Sequence, residues 1–436
     1  MTTSTAVPGA GSVLAPGVSR REVWGWAMYD FANSSYTTVV ITAIYNAYFV
    51  AVVAGGKTWA TLAWTAALAV SNLLLMVVGP VLGAYADLRG NKKRILLAST
   101  VGCVATTAAL ALSGPATLWL SVLMLVLSSF FYGIGENIVA AFLPELAGSE
   151  SQGKVSGWGW SLGYIGGLLS LGICLAYVNW AAARGQQAWH YVPVTMLITA
   201  AMFGAASLPT FLLLRERAPR QWQARGAGLA RQTAARLMQT LHRTRHYTDL
   251  RRFLLCIVVY QSGIQAVIAL AAIYAQQAMR FSTQDTVRLI IVVNITAAIG
   301  AFAFGYVQDR IGHVATIAIT LVGWILMVAL AWMAQGPALF WLAANIAGLC
   351  LGASQSAARA FVGILSPDLR RAEFFGLWGM AVRLASIVGP LTYGLSTWLS
   401  RGDHRLAMLI TGGYFVAGLL LLAAVDAERG QRAART

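Results

Sequence analysis

Apolar and polar positions follow one another along this chain in long blocks. Twelve predominantly apolar runs occupy 23–53, 60–86, 94–112, 116–142, 156–180, 191–214, 252–277, 287–307, 313–333, 337–364, 372–398 and 406–425. A helix needs about 20 apolar residues to cross a bilayer, and each run is long enough. Gly and Pro interrupt several runs, which membrane helices tolerate when neighbours re-satisfy the freed backbone groups. No run shows the ten-residue alternation of a transmembrane strand, so a β-barrel is excluded. The pattern predicts an all-α polytopic membrane protein. Its longest polar connection, 215–251, separates six spans from six. Within that connection Leu229, Ala230, Thr233, Leu237 and Leu241 form a stripe flanked by arginines, which predicts an amphipathic helix on the membrane surface. The expected organisation is a flexible segment over 1–21, a six-helix bundle over 22–214, the linker 215–251, a second bundle over 252–425 and a tail over 426–436.

Composition agrees with this class. The chain is 58% hydrophobic and 11% charged, against the roughly 25% charged expected of a soluble domain. Its mean hydropathy is +0.67. The formal net charge is +16, and placement gives that charge its meaning. Of the Lys and Arg residues, 23 fall on one side of the predicted membrane and six on the other, with Arg359 and Arg383 left inside runs. Such a bias orients a membrane protein with its basic face in the cytoplasm, so both termini are expected there. The basic residues sit between spans and not in a nucleic-acid-binding motif, so nucleic acid is not an expected partner. Cys103, Cys174, Cys256 and Cys350 sit singly in apolar runs without metal or redox spacing. Residues 1–19 lack a basic start followed by an apolar core, so no cleaved signal is expected and the first span is taken to direct insertion.

The two halves repeat. Gly83, Asp87 and Gly90 follow the second run, and Gly305, Asp309 and Gly312 follow the eighth, all shifted by 222. Ala141-Phe142 and Gly157 recur as Ala360-Phe361 and Gly376, shifted by 219. Parallel repeats of six spans are one architecture of secondary transporters. The glycines admit close helix approach. Asp87 and Asp309 can accept from backbone N–H groups or pair with an arginine such as Arg310. We expect these loop residues to gate the protein, not to touch its substrate.

Polar groups inside the spans are the remaining chemistry. Ionisable residues at bilayer depth usually face the bundle interior. Asp30 shares a helix face with Asn33; it could bind an amine, carry a proton, or pair structurally with Arg20 or Arg21. Glu136, beside Asn137, suits reversible protonation or a permanent bridge to Arg359 or Arg383. Its repeat counterpart is Gln355. Either arginine can grip a carboxylate through its planar fork. Arg383 lies nearer mid-span and is the stronger candidate for substrate contact, whereas Arg359 could snorkel toward the basic face. Tyr164, Gln261 and Gln265 complete the set of candidate cavity residues.

The glycine-aspartate loops resemble the signature loops of the major facilitator superfamily. Leu88 stands where the first loop usually has Arg, while Asp309-Arg310 keeps the pair. Within that superfamily, WAMYDFANSSY at 26–36, AFLPELA at 141–147, VSGWGWSLGYIGG at 155–167, QSAAR at 355–359 and EFFGLWGMAVR at 373–383 resemble the vacuole-effluxer-like branch. Fungal members of that branch export amino acids from the vacuole. Ala140 and Arg383 replace the Asn and Lys common at those positions. The resemblance implies twelve transmembrane helices in two pseudo-symmetric bundles. It also implies secondary active export of an amino acid or related metabolite by alternating access, with protons as the possible coupling ion. Compact loops suggest a bacterial member in the inner membrane, acting as a monomer among membrane lipids. Import of a nutrient or small anion, or ligand sensing without transport, are the alternatives. No Walker loop, HExxH, GxSxG or two-carboxylate motif occurs, so neither an ATPase nor an intramembrane enzyme is expected, and no cofactor or metal is called for.

Overall fold

The computed structural model describes residues 13–217 and 247–435, apart from 58, 278, 282 and 402. The amphipathic helix expected within 215–251 falls on residues 218–246, outside the described residues. Residues 1–12 also lie outside them.

Twelve helices among the described residues are long and apolar enough to cross a membrane. They are Arg20–Val53, Ala63–Arg89, Lys92–Leu112, Leu118–Leu146, Gln152–Ala183, Ala188–Leu213, Thr248–Ile268, Arg288–Ile311, His313–Met333, Pro337–Leu365, Asp368–Thr397 and His404–Leu422. We number them as the first to twelfth spans. The all-α, twelve-span architecture read from hydropathy is present, with ends displaced by a few residues from the apolar runs. The displacement has a simple cause. The helical backbone satisfies its own hydrogen bonds past the last apolar side chain, so Asp87 and Asp309 lie on the final turns of their helices.

The first span does not wind uniformly. Thr37–Ala43 and Phe49–Val53 are π-helical. The Ile44 N–H reaches back to the Val39 carbonyl at 2.9 Å, and the Ala54 N–H to that of Phe49 at 2.8 Å. Wide turns of this kind recur at functional positions in helices. They lie in the part of the span beyond the polar Asp30–Ser34 stretch.

Within the first half, the first span packs on the fifth and sixth, and the third on the fourth and sixth. In the second half the seventh packs on the eleventh and twelfth, and the tenth on the eighth and ninth. The halves meet along two seams, second span against eleventh and fifth against eighth. The sequence repeat carries the second span onto the eighth and the fifth onto the eleventh, so it exchanges the seams. After the twelfth span, Ala427–Arg435 forms a helix over the basic face, and Arg429 Nε and Nη2 donate to Asp249 at 2.7 and 2.6 Å.

Candidate functional site

The repeated loops build the same device twice. Asp87, at the end of the second span, accepts from the Ala372 and Glu373 N–H groups at 3.2 and 3.0 Å. Asp309, at the end of the eighth, accepts from the Gly153 and Lys154 N–H groups at 3.0 and 3.1 Å. Each carboxylate thus caps the start of a helix in the other half, where orphan N–H groups and the helix dipole favour an anion. Lys154 Nζ adds a longer contact to Asp309 at 3.8 Å. The glycines explain the approach. A Cβ on Gly83 would strike the Ala372 carbonyl, and one on Gly305 would lie 2.7 Å from the Gly153 carbonyl oxygen. Gly90 and Gly312 serve differently: φ values of +59° and +89° end the helix and turn the chain. The sequence admits pairing of Asp309 with Arg310; in the structure the Arg310 side chain is exposed and Asp309 turns toward the fifth span.

Both intramembrane arginines are paired, and both pairs join the halves. Arg359 Nη1 donates to Asp30 Oδ2 at 2.6 Å. Its Nε donates to Ser156 Oγ at 3.0 Å and its Nη2 to the Ser156 carbonyl at 2.8 Å. The guanidinium also lies 4.8 Å from the Trp26 ring and 5.4 Å from the Trp160 ring. Arg359 is only 3% exposed, so it is an internal clamp and does not snorkel. Asp30 therefore finds its partner across the interface, not at Arg20 or Arg21. A helix rise places Arg359 about 9 Å from the basic end of its span.

Arg383 sits deeper, about 18 Å along the eleventh span from Arg371. Its Nη2 donates to Glu136 Oε2 across the second interface, and the guanidinium lies 5.8 Å from the Tyr132 ring. Of the two partners that the sequence allows Glu136, the structure selects Arg383. This pair is wetter than the first: Arg383 is 16% and Glu136 23% exposed. Around it, Arg383 Nε and Asn137 Nδ2 are buried donors without a hydrogen-bond partner among the described residues. Asn137 packs on Gly379, one turn below Arg383.

The other candidates spread around this centre. Gln355 is buried and accepts from Gln261 Nε2 at 3.0 Å, so the repeat counterpart of Glu136 is tied within its own half. Gln265 is half-buried one turn further along. Tyr164 is half-buried, its ring 6.0 Å from that of Trp160. Asn33 is buried, and its Oδ1 has no hydrogen-bond partner among the described residues.

Sequence reading passed over Ser156, Trp26, Trp160 and Tyr132. Ser156 is the least conspicuous of these. A lone serine among glycines reads as helix packing, and only the tertiary placement of Arg359 shows its role. Tyr132 had a weak signal, one helical turn before Glu136.

The cross-half contacts continue with Ser156 Oγ to the Ser356 carbonyl at 2.8 Å, Ser161 Oγ to the Ala298 carbonyl at 2.6 Å, and Trp158 Nε1 to Tyr306 Oη at 3.2 Å. Asp30, Ser156, Trp158, Ser161, Tyr306, Ser356 and Arg359 lie in the half of their spans nearer the basic face, whereas Ala298 and Arg383 stand at mid-span. Two bundles, seams related by the repeat and ion pairs buried between them define a class, the secondary transporters of small solutes with the major facilitator fold. The chain belongs to the family described as vacuole effluxer Atg22 like, whose profile matches residues 50–435. It is 27% identical over 92% of its length to an uncharacterized MFS-type transporter, YxiO, of Bacillus subtilis, covering 94% of that protein. It is 26% identical over 69% of its length to autophagy-related protein 22-1 of Aspergillus fumigatus, of which it spans 53%. In fold it is similar to the human organic anion transporter MFSD10, with a TM-score of 0.72 at 15% identity over 92% of this chain and 99% of that one.

Proposed function

We propose that the protein moves an amino acid or a related zwitterionic metabolite outward across a bacterial cytoplasmic membrane, by alternating access coupled to protons. The Glu136–Arg383 pair carries this reading. An amino acid brings one carboxylate and one ammonium group. Inserted between the partners, its carboxylate takes the Arg383 fork and its ammonium takes Glu136, so no charge is left bare. A simple anion would occupy Arg383 but face the like charge of Glu136, so it gains less than a zwitterion does. Glu136 is also the group we assign to the proton. Taking one up releases Arg383, loosens the seam and shifts the two-state equilibrium.

Counterflow in proteoliposomes tests the reading, with panels of amino acids and of simple anions and an imposed pH gradient. We expect exchange of zwitterions in preference to anions. In Glu136→Gln, exchange should weaken because the ammonium loses its charged partner, and the exchange that remains should no longer be driven to accumulation by the pH gradient. Anion exchange that ignores amino acids would overturn the substrate class, and a pH-driven Glu136→Gln would overturn the coupling role.

The repeated loop carboxylates act, in this reading, as latches on the basic face. Losing a helix-capping acceptor costs about 1 kcal/mol, which shifts a two-state population by roughly fivefold. Asp87→Ala and Asp309→Ala should each lengthen spin-label distances between the halves on the basic face, with a larger effect together. A distance distribution unchanged in the double variant would remove the latch.

A further inference from the structure

A cavity of about 560 Å³ lies near the basic face, between the first and fifth spans and beside the eighth. Pockets of roughly 300–1,000 Å³ take up small organic ligands. Neither interface ion pair lines this one. Val13, Leu14, Val23, Trp24, Ala27, Trp158 and Leu162 make its walls, Tyr306 reaches it from the other half, and Arg20 and Lys154 stand at its rim. Trp24 and Arg20 are exposed. The carboxylates nearby are already engaged. Asp309 receives the Gly153 and Lys154 N–H groups, and Glu22 receives Arg217.

We propose that this cavity is a binding site for one anionic phospholipid of the surrounding membrane. Three features select that occupant. The walls are apolar and include the exposed ring of Trp24, which suits an acyl chain. Two cations sit where the apolar wall ends, Arg20 exposed and Lys154 in a loose contact of 3.8 Å with Asp309, which suits a phosphate. They belong to the face that the charge bias turns toward the anionic leaflet. A zwitterionic lipid would fill the walls equally but would gain little from the cations. Because first- and second-half residues both line the cavity, a lipid held there bridges the closed seam and fastens it.

Mass spectrometry of the intact, delipidated full-length protein tests this, without reference to transport. Dioleoyl phosphatidylglycerol and dioleoyl phosphatidylcholine are titrated separately. Wild type should retain a first phosphatidylglycerol more tightly than phosphatidylcholine, by at least about fivefold, the share of the exposed Arg20. Arg20→Gln, at an exposed position, should lose about fivefold of that preference. Leu162→Trp fills the cavity and should lower retention of the first lipid of either kind. Equal retention of the two lipids by wild type, or undiminished phosphatidylglycerol binding in both variants, would overturn the proposal.

Discussion

Alanine at Arg383 is expected to abolish solute exchange while leaving the protein folded. The two halves of this expectation have separate causes. The folded state survives because the pair is partly wet, with Glu136 23% exposed. A carboxylate that solvent can reach rehydrates when its partner is removed, and partly exposed pairs contribute little to stability. Exchange fails because the substrate carboxylate loses a charged fork in a site shielded by the bundles. Removing one partner of a buried, hydrogen-bonded charge pair costs about 2–5 kcal/mol, so exchange should fall by at least about 30-fold at fixed solute concentration. Arg383→Lys should recover part of it, since an ammonium keeps the charge but not the planar fork. Counterflow measured on monodisperse protein checks both. Wild-type exchange in Arg383→Ala would remove Arg383 from the substrate site and, with it, the zwitterion reading.

The same change at Arg359 should act on stability. Arg359 is 3% exposed and holds Asp30 and both Ser156 oxygens, with two indole rings nearby. Truncating it strands Asp30 in a dry interface. Breaking a buried pair from one side costs about 3–5 kcal/mol, which should lower the melting temperature in detergent by several degrees. Replacing both partners, Asp30→Asn with Arg359→Met, removes the stranded charge and keeps much of the volume. That double variant should be more stable than Arg359→Ala, with coupling between the sites of about 1–3 kcal/mol. Thermal melting of the two singles and the double measures it. Additive effects would mean that Asp30 and Arg359 do not act as a pair. Two arginine–carboxylate pairs across one interface are thus expected to differ in consequence, and their burial is the reason.

The sequence by itself determined the class and its symmetry. Twelve apolar runs and sparse charge follow from what a bilayer demands of any chain that crosses it, and the 219–222-residue repeat is legible because it falls at matching places in the span order. Backbone groups must be satisfied within helices, and charges must stay outside or become partners. For the same reason the few embedded ionisable groups, Asp30, Glu136, Arg359 and Arg383, stood out before any coordinates. Tertiary structure alone decided who meets whom. Local spacing allowed Asp30 to reach Arg20 or Arg21 and left Glu136 a choice of two arginines. Asp30 meets Arg359, 329 positions away, because the bundles press the first span and the tenth to the same seam. Periodicity records which face of a helix is apolar, not which distant helix will cover it. Ser156 and the orphaned donors of Arg383 and Asn137 became visible only once two faces, each unremarkable alone, were brought together.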